Sequence, residues 1–285
     1  MTKGVLLFAH NNSLIDYVSQ AIFCCEQIKK HLNIPVSLVT SNKVPPDSIS
    51  LFDKIIPIKN TNTNQTKSFL DGSTNKYNAL WHNFSRPDCY DLTPYDETIV
   101  MDTDYIVGND HLLKCFQSNA DFLINKDAEY INYQHREDLL DIDVSDPSIP
   151  MYWATVFYFK KTDKMKTFFE LIKHIKDNWS FYRFTYQIVG QNYRNDHSFS
   201  IAIHMFNDFQ ETNWPMKLPS KLYYITDRDE VIHFDGDWEL KLSVDTKEYY
   251  PCKINGMNLH IMNKLALGRA IMYDRWIKED QHDKK

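Results

Sequence analysis

Glu97-Thr98-Ile99-Val100-Met101-Asp102-Thr103-Asp104-Tyr105-Ile106-Val107 runs from an apolar segment into two carboxylates one residue apart, then turns apolar again. A run without polar interruption suits a central strand buried on both faces. Side chains at i and i+2 of a strand share a side, so Asp102 and Asp104 are expected to converge at the strand's end. Two hard oxygen ligands at one point suit a Mg2+ or Mn2+ ion that keeps open positions for phosphate oxygens. Asp-x-Asp also occurs at Asp141-Ile142-Asp143, Asp227-Arg228-Asp229 and Asp235-Gly236-Asp237. These read as a polar loop, a charged turn and a hairpin turn, so only Asp102-Thr103-Asp104 closes an apolar run.

Upstream of the motif, strands and helices alternate. Strands are predicted over 5–9, 35–40 and 54–58, and a helix over 13–31 with Ile15, Val18, Ile22, Cys25 and Ile28 on one face. Residues 60–66 read as a loop and 67–84 as a helix. A short helix and a strand over 121–125 follow the motif. This order predicts an α/β fold with a mostly parallel central sheet and right-handed crossovers. Ligands bind such sheets beyond the carboxyl ends of the strands, where Asp102 and Asp104 fall.

Downstream the pattern changes. A polar linker is predicted over 141–150, then a strand over 153–159 and helices over 163–179 and 197–206. Short strands over 222–226, 231–234, 238–244 and 257–262 give a smaller β-rich part. One domain is expected. Its first half is expected over residues 1–140, its second over 141–277, and a charged, frayed tail over 278–285.

Composition narrows the classes. Hydrophobic residues make up 43% of the 285-residue chain, enough for a full core, and the net charge is −6. No long basic run supports broad nucleic-acid or membrane binding. The five cysteines, Cys24, Cys25, Cys89, Cys115 and Cys252, contain no Cys-x-x-Cys and suggest neither a disulfide framework nor a thiolate zinc site. No stretch is apolar for the roughly 20 residues that span a bilayer. No signal segment precedes the first strand, so a cytoplasmic protein is expected. Abundant Lys and scarce Gly suit an AT-rich genome, such as that of a bacteriophage acting in its host's cytoplasm.

Taken together, the motif strand and four other segments resemble glycosyltransferases of the GT-A fold, in the group of glycogenin and bacterial lipopolysaccharide galactosyltransferases. The likeness is one of element order over roughly residues 3–270. The loop Ala9-His10-Asn11-Asn12-Ser13 after the first strand stands where the family contacts base and ribose. Asn12 or Ser13 also suits a helix N-cap. Lys76 stands for the family's basic residue near the donor, on the predicted helix before the motif. Tyr152-Trp153-Ala154-Thr155 stands where a small-residue strand borders the donor sugar, although the family's Asn and Gly are missing. In Arg194-Asn195-Asp196-His197, Asp196 matches the acid near the reacting centre, with Asn195 beside it as the second catalytic candidate; a helix cap is the alternative for Asp196, and Asn195 could serve as that cap instead. His260 matches the third metal ligand and Lys264 the diphosphate-binding lysine, although the family's Gly and Pro-Trp are absent between and after them.

The resemblance implies transfer of a sugar from a nucleotide-sugar, a UDP-sugar by analogy, to a hydroxyl acceptor with retention of configuration. It also implies a nucleotide-sugar half over 1–140, an acceptor half over 141–277, and a Mn2+ or Mg2+ cofactor on Asp102, Asp104 and His260, with Thr103, Ala154 and Thr155 beside the donor. A saccharide acceptor would use aromatics such as Tyr152 and Trp153. Phage-type transfer to hydroxymethylated bases in DNA is the alternative, and would call on Lys160, Lys161, Lys164 and Lys166 as a local basic surface. Neither reading requires a membrane, and the oligomeric state is left open. A haloacid-dehalogenase-type phosphatase also carries Asp-x-Asp after a strand, but near the N-terminus and with Thr or Val where Ile106 stands. A glycosidase needs two carboxylates about 5 Å or more apart, flanking a sugar. A non-catalytic sugar-nucleotide-binding protein would keep both aspartates and turn nothing over.

Overall fold

The computed structural model describes residues 1–59, 65–83, 85–131, 143–145, 149–234, 236–244 and 248–283. In chain order, β1 (Lys3–Ala9), α1 (Tyr17–His31), β2 (Val36–Thr40) and β3 (Lys54–Pro57) lead to a hairpin of β4 (Thr66–Asp71) and β5 (Asn75–Leu80). The short α2 (Cys89–Leu92) precedes β6 (Glu97–Met101), the motif strand, then β7 (Tyr105–Ile106), β8 (Phe122–Asn125) and β9 (Ala128–Tyr130). β10 (Trp153–Lys160) is followed by α3 (Asp163–Asp177), α4 (Trp179–Thr185) and α5 (Asn195–Phe206). The chain continues through β11 (Leu222–Ile225), β12 (Glu230–His233), β13 (Trp238–Ser243), β14 (Tyr249–Ile254) and β15 (Leu259–Ile261) to α6 (Lys264–Asp283).

The fold is α/β. Its central sheet has the order β3-β2-β1-β6-β10-β8. All pairings are parallel except the two made by β10, which runs against β6 and β8. The motif strand therefore lies inside the sheet, and all five of its residues are buried, as its apolar run predicts. Helix α1 packs on β1 and β2, and α5 on β10 and α3. Behind β10 the core is aromatic: Phe157 meets Phe199 at 4.8 Å between ring centroids, and Phe159 meets Phe169 at the same separation. A second sheet, β7-β15-β11-β9, and an antiparallel sheet, β12-β13-β14, complete the C-terminal part.

Three sequence expectations are corrected. Residues 67–84 are not a helix but the β4–β5 hairpin and the segment after it. Asp71-Gly72 is the reason: Gly72 sits at φ +72°, a left-handed turn conformation that closes a hairpin and breaks a helix. The helix predicted from residue 13 begins at Tyr17, because the Asp16 carboxylate, not Asn12 or Ser13, caps it by accepting from Ser19 N. The tail predicted from residue 278 as frayed belongs to α6, which continues to Asp283. The predicted 60–66 loop falls mostly outside the described residues, as do Asp141, Ile142 and Asp235 of the other Asp-x-Asp patterns. No described helix is long and apolar enough to cross a membrane.

Candidate active site

β6 ends where Asp102 N donates to Thr155 O of β10 at 2.8 Å. The chain then turns, and Tyr105 N donates back to Asp102 O at 3.1 Å. This turn, not alternation along one continuous strand, brings the two carboxylates together. It also passes the chain from the central sheet to the second one, where Tyr105 pairs with His260 on β15 and Ile261 N donates to Asp104 O at 2.9 Å. Ligand atoms of Asp102, Asp104 and His260 lie within 4.8 Å of one another. Two carboxylates and an imidazole fit a Mg2+ or Mn2+ ion, the softer nitrogen favouring Mn2+.

Asp104 is buried and faces two cationic or polar groups. Lys264 Nζ donates to its Oδ2 at 2.5 Å, and His260 Nε2 lies 3.4 Å from the same oxygen. Burial alone would raise the Asp104 carboxyl, but Lys264 and His260 outweigh it and hold it well below the usual carboxylate range. Lys264 opens α6 behind Asn263, whose Oδ1 accepts from Ala266 N at 2.9 Å as a cap. Asp102 is more open and pairs with the buried guanidinium of Arg86, which also donates to Ala154 O at 2.5 Å. Burial pulls Arg86 down while Asp196 and Asp104 push it back.

Asp196 does not cap α5, and neither does Asn195: that helix has no side-chain cap. Asp196 instead accepts from Ala154 N at 2.9 Å and from Arg194 Nη2 at 3.1 Å, tying the start of α5 to β10. Burial raises its carboxyl, Arg194 and the Ala154 amide lower it, and the net shift is downward, so Asp196 is a carboxylate at neutral pH. Asn195 donates to Asn83 O at 3.1 Å.

These groups face a cavity of about 1410 Å3, larger than the roughly 300–1,000 Å3 of ordinary ligand pockets. His10, Asp102, Thr103, Asp104 and Thr155 line it together with Asn195, Asp196, His260 and Lys264. The His10 ring bridges Ser41 Oγ and Ser85 Oγ at 3.1 Å each, and burial, helped by His82, lowers it to about 4, so it is neutral. Ala9, Asn11, Asn12 and Ala154 are not in the cavity wall. Asn11 and Asn12 hold the turn into α1 instead: Asn11 Oδ1 accepts from Val18 N, and Asn12 Oδ1 from Leu14 N and Ile15 N.

Lys76 is corrected: it lies exposed on β5, away from the cavity. The cations that do face the cavity from this part of the chain are Arg86 and Lys67. Sequence reading missed Arg86 because it sits in a three-residue 3-10 turn, Arg86–Asp88, that carries no periodic signal. The basic surface proposed for DNA is also corrected. Lys160 pairs in register with Glu97, at the opposite end of β6 from Asp102. The amines of Lys160 and Lys161 donate to Ser118 O and Thr93 O at 2.8 Å, and Lys164 lies over the Trp214 ring. Trp153, by contrast, does line the cavity.

No family model matches the sequence, and no curated protein matches it. Among solved structures, the chain is similar to the glycosyltransferase GlyE of Streptococcus pneumoniae TIGR4 at 12% identity and a TM-score of 0.41, over 72% of this chain and 43% of that one. It is similar to the galactosyltransferase LgtC, solved with donor and acceptor sugar analogs, at 10% identity and a TM-score of 0.44, over 70% of each chain. A third is the bifunctional glycosyltransferase WbbM, at 14% identity and a TM-score of 0.36, over 61% of this chain and 34% of that one. The chain thus spans less than half the length of GlyE and of WbbM.

Proposed function

We propose that the protein is a metal-dependent glycosyltransferase that moves a sugar from a nucleotide-sugar, in our reading UDP-linked, to a hydroxyl of a saccharide, with retention of configuration. The observation that carries this reading is the Asp102, Asp104 and His260 cluster on the wall of a cavity roomy enough for two substrates, with Lys264 beside it. A divalent ion on these three side chains would act as a Lewis acid toward the donor's phosphate oxygens. Lys264 adds a positive charge near the departing diphosphate. Arg86 and Asp196 fix the β10 segment at Ala154 from two sides, through its carbonyl and its amide, and so hold the Trp153–Thr155 wall in place. Trp153 offers an apolar ring face for a sugar. A saccharide acceptor is favoured over DNA because Lys160 pairs with Glu97 at the far end of β6 from Asp102, and the amines of Lys160 and Lys161 are engaged by Ser118 O and Thr93 O.

Single-domain organisation and residence in a cytoplasm remain parts of this proposal. Its test has two measurements. Uridine diphosphate with Mn2+ at about 100 times its Kd should stabilise the fold by about 2.7 kcal/mol. That is a rise in Tm of roughly 5–10 °C. A panel of nucleotide-sugars should then show hydrolysis or transfer that stops in excess chelator. No shift with any nucleoside diphosphate, together with no chelator-sensitive turnover, overturns the reading. A thermal shift without turnover points to a non-catalytic nucleotide-sugar-binding protein.

A further inference from the structure

Lys67 is a cation that lines the cavity and, among the described residues, has no counter-ion in contact with it. It lies on β4, half-buried, with its Nζ 4.7 Å from the Trp81 ring centroid and 5.7 Å from that of Phe69. Among the described residues no carboxylate or other hydrogen-bond acceptor meets it. Aromatic faces attract a cation but do not neutralise it. Burial, with Lys264 and Arg194 nearby, lowers Lys67 to about 8, against the pull of Asp104 and Asp227.

Its backbone is held at both ends of the hairpin. Asn192 Nδ2 donates to Thr66 O at 2.7 Å, and Gln65 Oε1 accepts from Tyr193 N at 2.5 Å. At the other end Arg269 donates to both Asp71 oxygens at 2.7 Å, and Gly72 N donates to Asp227 O at 3.1 Å. These ties run to the segment before α5, to α6 and to the segment after β11, which all bear on the same cavity. A lysine whose strand is tied at both ends, and which no described carboxylate meets, suits an anion that arrives from outside.

We propose that Lys67 binds the diphosphate of the substrate as a second lysine beside Lys264, and holds the leaving nucleoside diphosphate more tightly than the intact donor. The inference rests on the glycosyltransferase reading above. Charge explains the preference. Lys264 pairs with Asp104. Were Asp104 to hold a divalent ion, that carboxylate would be shared between the ion and Lys264, and Lys264 would then face the cavity beside Lys67. Cleavage adds a negative charge to the diphosphate, so a fixed cation stabilises the separated state more than the ground state. The bond broken is that between the sugar's anomeric carbon and the diphosphate oxygen. Its electron pair stays on that oxygen, while the acceptor oxygen forms the new bond and gives up its proton.

The experiment measures binding of uridine diphosphate and of inorganic pyrophosphate, each with Mn2+, by calorimetry on the full chain. Lys67→Met keeps the apolar stem against Trp81 and removes the charge; Lys67→Arg keeps the charge. One charge-assisted contact corresponds to roughly 10–100-fold in affinity. The expected result is a loss of that size in Lys67→Met for both probes, a smaller loss for intact UDP-sugar, and near wild-type binding in Lys67→Arg. Unchanged binding in Lys67→Met, with wild-type protein binding both probes, overturns the role of Lys67 alone. Unchanged diphosphate binding with a raised KM for an anionic acceptor does so too, and moves the contact to the acceptor. Wild-type protein that binds neither probe overturns the glycosyltransferase reading and this inference with it. A melting temperature of Lys67→Met equal to wild type excludes misfolding as the cause.

Discussion

Asp104→Asn is expected to cut turnover by more than 100-fold and to lower the stability of the metal-free protein at neutral pH. The first effect exceeds the roughly 10–100-fold typical of losing a partner in a metal's outer shell, because Asp104 is itself a proposed ligand. The second follows from Lys264, whose Nζ lies 2.5 Å from Asp104 in a buried setting. Removing one partner of a buried ion pair costs about 3–5 kcal/mol. Asn keeps an acceptor oxygen, so the lower end of that range applies. The pH dependence has a definite sign. Asp104 is held below its unfolded value of about 3.9. Its ionisation therefore stabilises the fold above that pH, and the contribution disappears as pH falls through the acid range. Urea denaturation in chelator should show a gap between wild type and Asp104→Asn at pH 7 that narrows progressively as pH falls below about 4. A gap absent at pH 7, or independent of pH, would show that the pair contributes no stability.

The central sheet was legible because its strands are continuous apolar runs, and Glu97–Met101 is buried throughout as that pattern demands. The cluster of Asp102, Asp104 and His260 was legible for a partly mistaken reason. Asp102 and Asp104 do converge, but through the turn that Tyr105 N closes on Asp102 O. His260 was found only through family resemblance, since it reaches the site by pairing with Tyr105, a contact between residues far apart in sequence. Lys67 and Arg86 were missed for different reasons. Asp71-Gly72 was an available hairpin signal that would have placed Lys67 on a strand. Arg86 carries no local signal, because its role depends on β10 crossing beside the motif strand and offering Ala154 O. Asp196 read equally well as a cap, and only the tertiary structure shows that its carboxylate takes the Ala154 amide and does not cap α5.

Gly108→Ala is expected to disturb the proposed metal site without touching any of its side chains. A Cβ at Gly108 would lie 2.2 Å from Met257 O and 2.9 Å from Met257 N. Both are backbone atoms, so no side-chain rotation relieves the clash. Asn258 locks the same contact: its Oδ1 accepts from Gly108 N at 2.9 Å and Asn109 N at 3.1 Å, and its Nδ2 donates to Asn109 Oδ1 and Ser220 Oγ. Met257 and Asn258 lead directly into β15, whose next residues place His260 against Asp104. Relief of the clash must therefore move the segment that sets the His260 position. Overpacking of this kind costs about 1–3 kcal/mol, and more where backbone has to shift. For a chain of this size that lowers Tm by roughly 2–10 °C. Mn2+ affinity, followed by the electron paramagnetic resonance signal of free Mn2+, should fall at least about tenfold, the lower bound for misplacing a group that supports a ligand. Gly256, with nothing within 4 Å of a Cβ, sits one residue before Met257 and offers a control in the same loop, although its φ of +63° adds strain of its own. If Gly108→Ala melts lower yet binds Mn2+ as wild type does, β15 is not what positions His260, and the cluster must be held by the Asp102–Tyr105 turn and Lys264 alone.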